Sequence, residues 1–264
     1  MAIYHLQVKN ISKKTRSSVA SSAYRAGVKL TDEATNRTYD FSKKSGVLRS
    51  NVLIKNEQGE ITNVNRSKLW NTAESAEKRI DGRTAKEIII AIPHELMTLP
   101  NGEKITKKNV KETQGNKAVF AFIKQLMNEY GVAADYAIHA PNKKPNSDDD
   151  NKNYHAHIMI TTRSATLDKD NNLVLGDKTN LEISNTKLKK LGLPYANDQI
   201  TQIRENWAET ANYYLKKNDI KARITHKSFK ELGWEDQGVK PTIRLNIVES
   251  SLEKKGIRLS LIHI

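Results

Sequence analysis

The chain contains no cysteine, which excludes disulfides and thiolate metal sites and fits a reducing compartment. It also lacks any apolar run approaching the ~18 residues that a membrane span requires. Its opening, Met1-Ala-Ile-Tyr-His-Leu-Gln-Val-Lys9, lacks the basic-then-apolar plan of a secretory leader. These absences lead to the expectation of a cytoplasmic protein without membrane insertion. Carboxylates are the scarcer charge: 30 Asp and Glu stand against 44 Lys and Arg, a net charge of +14. That excess is larger than solubility alone asks of a domain and favours an anionic partner, nucleic acid being the commonest. At 264 residues the chain can bury an ample core in one large domain or two small ones.

What is present is concentrated in seven histidines. His155 and His157 flank Ala156 in a stretch, Tyr154 to Thr162, that reads as a β-strand. Strand side chains alternate, so the two imidazoles share one face while Tyr154, Ala156, Ile158 and Ile160 take the other. His139, in Asp135-Tyr-Ala-Ile-His-Ala140, again lies opposite its apolar neighbours Tyr136 and Ile138. If these strands adjoin, three nitrogen donors converge and leave coordination positions open, the plan of a reactive rather than a structural metal site. Imidazole donors favour manganese, cobalt, nickel or zinc over magnesium. A lone surface histidine is commonly just that; three on one face argue for a metal.

The rest of the pattern supplies the frame. A first strand is expected over Ala2 to Lys9. Ser17 and its neighbours cap a short helix that Gly27 ends, with Tyr24 riding on it. Residues 32 to 66 read as turns and short extended pieces around Val52-Leu-Ile54. Helices are expected from about Ser67 to Ile80, Asn116 to Tyr130 and Thr201 to Lys217, and a buried strand over Lys86 to Pro93. An Asp-rich loop, Asn142 to Asn153, joins the His139 and His155 strands. The expected architecture is α+β: a central antiparallel sheet with helices on its apolar face, and His5, Glu87, His139, His155 and His157 on the face left open for function.

Tyr24 alone is an ordinary amphipathic helix residue. A phenol of intrinsic pKa about 10 is a poor nucleophile at neutral pH, so a catalytic role needs a base or a polarised phosphate. Glu87 is the candidate base, or else a partner for Arg83 or Lys86.

The segments Met1-Ala-Ile-Tyr-His-Leu6, Ser18-Val-Ala-Ser-Ser-Ala-Tyr-Arg-Ala-Gly27, Tyr39-Asp-Phe-Ser-Lys43, Ala85-Lys-Glu-Ile-Ile-Ile-Ala-Ile-Pro93, Ala137-Ile-His-Ala140, His155-Ala-His157 and Trp207-Ala-Glu-Thr-Ala-Asn212 occur in this order. Together they resemble a MobA/MobL-type conjugative relaxase of the HUH endonuclease class. The resemblance implies a sheet of about five antiparallel strands flanked by helices. It implies Tyr24 as nucleophile, Glu87 as an acidic catalytic position, and His139, His155 and His157 as ligands of a divalent ion, Mn2+ or Mg2+. The activity it implies is nicking of single-stranded DNA at an origin of transfer through a 5′-phosphotyrosyl link. Accessory mobilisation proteins and a type IV secretion coupling protein are the partners it implies. Candidate DNA contacts are Arg25, Arg83, Lys86 and Arg163. The loop between His139 and His155 is longer than the resemblance leads one to expect. A basic single-strand-binding module and a three-histidine hydrolase are the competing readings.

For domain organisation, the expectation is a relaxase domain over 1–225 and a C-terminal extension over 226–258. Residues 259–264 resemble a translated adapter sequence, which would make the chain a truncated reading frame.

Overall fold

The structure, a computed structural model, describes residues 4–141, 152–228 and 230–233. The Asp-rich loop, apart from its last residues, and the 259–264 tail lie outside the described residues. The chain divides into two units, Met1–His226 and Lys227–Ile264, and everything below concerns the first.

Its centre is one large sheet. Strands β1 (Leu6–Ser12), β4 (Val47–Asn56), β6 (Arg83–Ala91), β7 (Ala134–His139) and β8 (His155–Thr161) run in the order β1-β6-β8-β7-β4, every pair antiparallel. Three further strands enlarge this to eight: β5 (Ile61–Asn63) and β9 (Arg163–Leu167) pair with β4, and β10 (Leu173–Lys178) pairs with β9. The β4/β9 pairing is parallel and brief, through Lys55 and Asn56. A separate ribbon is formed by β2 (Lys29–Asp32) and β3 (Arg37–Asp40).

The sheet is larger than the five strands expected: β9 and β10 add residues 163 to 178, and β5 comes from residues 32 to 66. That region holds a ten-residue strand rather than short pieces. Polar residues hide the alternation of β4 at Arg49–Asn51 and at its C-terminal end, Lys55-Asn56. In its middle Val52 and Ile54 belong to one core and Leu53 to the other, so the strand is buried on both faces and shows a run instead of a period.

Helices cover both faces, which corrects the one-sided arrangement expected. Helices α3 (Gln114–Tyr130) and α5 (Ala196–Lys217) lay Val119, Phe122, Ile123, Leu126, Ile203, Trp207 and Leu215 against Leu6, Ile88, Ile90, Ile138, Ile158 and Ile160. The Phe122 and Trp207 rings meet at 5.4 Å. On the histidine-bearing face, α1 (Ser18–Ala26) and α2 (Arg66–Ala76) place Val19, Leu69, Trp70 and Ala73 over Val52, Ile54, Ala85 and Met159. Helix α2 stops earlier than the apolar spacing suggested, and Ile80 lies beyond it, 81% exposed. A short helix α4 (Asn185–Lys190) leads into α5. Among the described residues no helix is long and apolar enough to cross a membrane.

Helix α1 begins and ends as its sequence dictates. The Ser17 hydroxyl accepts from the backbone N–H groups of Val19 and Ala20, and Gly27 closes the helix with φ 65°, a left-handed conformation that favours glycine. The early stop sets Tyr24 and Arg25 in the last turn, at the end of the helix that meets β7.

Candidate metal centre and nucleophile

Register brings the histidines together. In the β7/β8 ladder His139 is the cross-strand partner of His155, and Ala137 that of His157. Ring centroids of the three lie 5.0 to 5.4 Å apart, and one nitrogen of each falls within 4.8 Å of the others.

The second nitrogen of every ring is held by a group that can only accept, which fixes where each proton sits. His139 Nε2 donates to the Arg25 carbonyl at 2.7 Å. His155 Nδ1 donates to the Asn153 carbonyl at 3.0 Å, and His157 Nδ1 to Glu87 Oε1 at 2.8 Å. The nitrogens that these bonds leave free are His139 Nδ1, His155 Nε2 and His157 Nε2. Burial lowers the pKa of His139 to about 3 despite the carbonyl bond, and the neighbouring Lys44 and histidines push the same way. Burial also lowers His155. Both rings are neutral at physiological pH, the state in which imidazole binds metal. Three pre-oriented imidazoles fit a divalent ion, and the triad can hold one.

Glu87 organises the floor of this site. It is fully buried on β6, and its two oxygens accept from His157, from Arg25 through Nε and Nη2, and from Arg16 at 3.2 Å. Burial alone would raise its pKa, but the hydrogen bonds from His157 and Arg25 and their attraction outweigh it and leave the carboxyl at about 2. A carboxylate so weakly basic, with both oxygens committed, does not take a proton from a phenol. This arrangement fits Glu87 as a carboxylate that orients His157 rather than a general base. Its expected partners Arg83 and Lys86 are replaced by Arg25 and Arg16.

Glu87→Gln keeps the shape but loses the charge that orients His157. Mn2+ affinity is expected to fall about 10- to 100-fold by isothermal titration calorimetry. A change within twofold would show that His157 needs no such partner.

Tyr24 stands 51% exposed at the end of α1. Its ring meets Phe41 edge-on at 5.2 Å, and the Lys44 ammonium lies 3.7 Å from its centroid while donating to the Tyr24 carbonyl at 2.8 Å. Among the described residues nothing hydrogen-bonds the Tyr24 hydroxyl. The next residue, Arg25, ties this turn to the triad twice, through its carbonyl to His139 and through its guanidinium to Glu87. Lys44 was not anticipated; it directly follows the Tyr39-Asp-Phe-Ser-Lys43 segment, and its position over Tyr24 exists only in three dimensions.

The four expected DNA contacts are all engaged elsewhere. Arg25 is buried against Glu87. Lys86, also buried, pairs with Glu182 at 2.7 Å and donates to Asn10, so it is withdrawn from any phosphate. Arg83 pairs with Glu182 at 3.5 Å and Arg163 with Glu77 at 2.8 Å. Lys86 alternates onto the side opposite Glu87, which is why it is not at the site.

Fold and site define a class: an α+β protein whose mainly antiparallel sheet carries three histidines able to hold a metal ion, beside a helix that offers an exposed tyrosine. The chain belongs to the MobA/MobL family, whose model matches residues 16–255. It is 30% identical to the mobilization protein MobL of Acidithiobacillus ferridurans over 273 residues, covering 97% of this chain and 65% of that protein. A probable mobilization protein MobA of Bifidobacterium longum is 30% identical over 285 residues, 97% of this chain and 45% of that one. The chain therefore spans less than two thirds of either relative's length. A solved structure described as "Molecular Basis of Vancomycin Resistance Transfer in Staphylococcus aureus" is similar with a TM-score of 0.60 and 28% identity, over 86% of this chain and 100% of that one.

Proposed function

We propose that this chain is the DNA-nicking part of a relaxase for plasmid mobilisation, acting on single-stranded DNA at an origin of transfer. The observation that carries this reading is the double tie from Arg25 to His139 and Glu87, which fixes the tyrosine-bearing turn against the metal pocket. His139, His155 and His157 would hold a divalent ion, which supplies Lewis-acid polarisation of the scissile phosphate.

The chain's own groups do the rest. Tyr24 Oη attacks phosphorus, the bond to the 3′ oxygen breaks, and the DNA 5′ end remains on the tyrosine as a phosphodiester. The exposed phenol releases its proton to solvent, and the departing 3′ oxygen takes one up. One phosphoester replaces another, so the step needs no ATP and can run backwards to rejoin ends. Lys44, next to Tyr24, brings a cation to the side from which a phosphate approaches. Holding the turn rigid on the sheet converts the attack into an intramolecular one. Accessory mobilisation proteins, a type IV coupling protein and a cytoplasmic setting belong to the same proposal.

The test is incubation of the chain with single-stranded origin DNA and Mn2+, nuclease digestion, and mass mapping of the tryptic peptides. A nucleotide on the peptide containing Tyr24 is expected. Cleavage with a free 5′-phosphate and no adduct would indicate a three-histidine hydrolase, and intact DNA a binding module.

A further inference from the structure

The four expected phosphate contacts each have a carboxylate partner, and the chain carries a net charge of +14. Part of the excess gathers on the other side of the sheet. Residues 103 to 124 hold six lysines against two glutamates. There, between α3, β4, β7 and the end of α5, lies a hollow of about 420 Å³. Lys111, Lys117, Lys124 and Arg49 line it, and among the described residues no carboxylate pairs with any of them. Arg49 Nε donates to the Tyr136 hydroxyl at 3.0 Å, which orients the guanidinium.

Aromatic surface lies among these cations. Phe120 is 37% exposed, an unusual position for a phenyl ring on an otherwise lysine-rich helix surface. Lys117 and Lys124 stand three residues before it and four after, so ring and ammonium groups share one helix face. Tyr214 of α5 also lines the hollow.

We propose that this hollow is a second single-stranded DNA site, which binds the strand after it passes round the sheet from the metal centre. Cations spaced along a groove hold phosphates, and an exposed ring stacks a base; that combination suits single strands, since a duplex hides its base faces. The route is short. Arg49 lies opposite Ile138 in the β4/β7 ladder, one residue from His139. The Val47–Asn51 part of β4 pairs only with β7 among the described strands, and Arg49, Ser50 and Asn51 are partly exposed there. The inference takes the identity of the strand from the nicking reading, but its test requires no nicking.

The test uses the full chain with Tyr24→Phe, to prevent covalent linkage, and fluorescence anisotropy with two labelled oligonucleotides: a short one confined to the nick site and a long one extending well beyond it. Phe120→Ala is expected to weaken the long oligonucleotide about tenfold, the loss of one stacked base. Lys117→Ala with Lys124→Ala should make its salt dependence shallower by about 1.4 in log-log slope, roughly 0.7 for each phosphate contact of a single strand. Binding of the short oligonucleotide should not change, and because Lys117 and Lys124 are exposed the melting temperature of the lysine variant should not either. Unchanged affinity and slope for the long oligonucleotide would overturn the proposal. So would an equal loss on the short one, or duplex DNA or polyglutamate displacing the long strand as well as single-stranded DNA does. If the wild type forms no adduct while Phe120-dependent binding persists, the nicking reading falls and this site stands.

Discussion

Tyr24→Phe is expected to reduce the DNA-linked form of the protein to below detection on a denaturing gel, with folding and DNA binding retained. The structural reason is that the hydroxyl contributes nothing to the fold. Tyr24 is 51% exposed, its ring contacts with Phe41 and Lys44 are made through carbon atoms, and phenylalanine preserves them. The substitution removes one atom and with it the only nucleophile the proposal uses. A thermal melt within about 1 °C of the wild type, with the anisotropy signal on single-stranded DNA intact, is the expected control. Persistent adduct in this variant would move the nucleophile to another residue. Persistent cleavage without adduct would replace tyrosine attack with activated water.

Asp135→Ala is expected to be among the most destabilising single substitutions in the chain, costing about 3–5 kcal/mol in urea unfolding, the range seen when one partner of a buried charge pair is removed. Asp135, 4% exposed on β7, accepts from the Ser22 hydroxyl of α1 at 2.5 Å and from Trp70 Nε1 of α2 at 2.8 Å. The Arg66 guanidinium binds it through Nε and Nη2 at 2.9 to 3.2 Å. One carboxylate thus pins both helices of the histidine-bearing face to the sheet. Alanine leaves a buried indole N–H, a buried hydroxyl and a mostly buried guanidinium without their acceptor at once, and each has a desolvation penalty of its own. Total stability of a domain is only about 5–15 kcal/mol, so the variant should be partly unfolded at 37 °C. Asp135→Asn keeps acceptor oxygen without charge and should fall between. A shift below about 1 kcal/mol for alanine would mean that the helices are held by apolar packing alone. Because Ser22 lies two residues before Tyr24, loosening this clamp should also slow adduct formation at temperatures where the variant remains folded.

Both clamps on α1 were hidden in the linear sequence. Asp135 and Ser22 are 113 residues apart, and Arg25 and Glu87 are 62 apart. Arg25 is a candidate DNA contact in the sequence, and its bonds to Glu87 exist only in the fold. Glu87 was placed on the correct face by alternation, but its chemistry depends on what reaches it there. Two hydrogen bonds from Arg25 and one from His157 turn an apparent base into a fixed carboxylate.

Local periodicity, by contrast, carried much of the site. Alternation in Tyr154 to Thr162 put His155 and His157 on one side, and the same rule added His139; the β7/β8 register then made them neighbours. Ser17 and Gly27 bounded α1 as their side chains require. The sequence by itself determined which face each strand residue takes, where the tyrosine-bearing helix starts and stops, and that no thiol takes part, because these depend on a residue's own backbone preferences and those of its immediate neighbours. Only the tertiary structure decided that helices cover both faces, that β4 is buried on both sides, which cations are spent on carboxylates and which remain unpaired round Phe120. Those outcomes depend on which distant groups come within hydrogen-bonding or Coulombic reach, and that reach is set by packing, not by spacing along the chain.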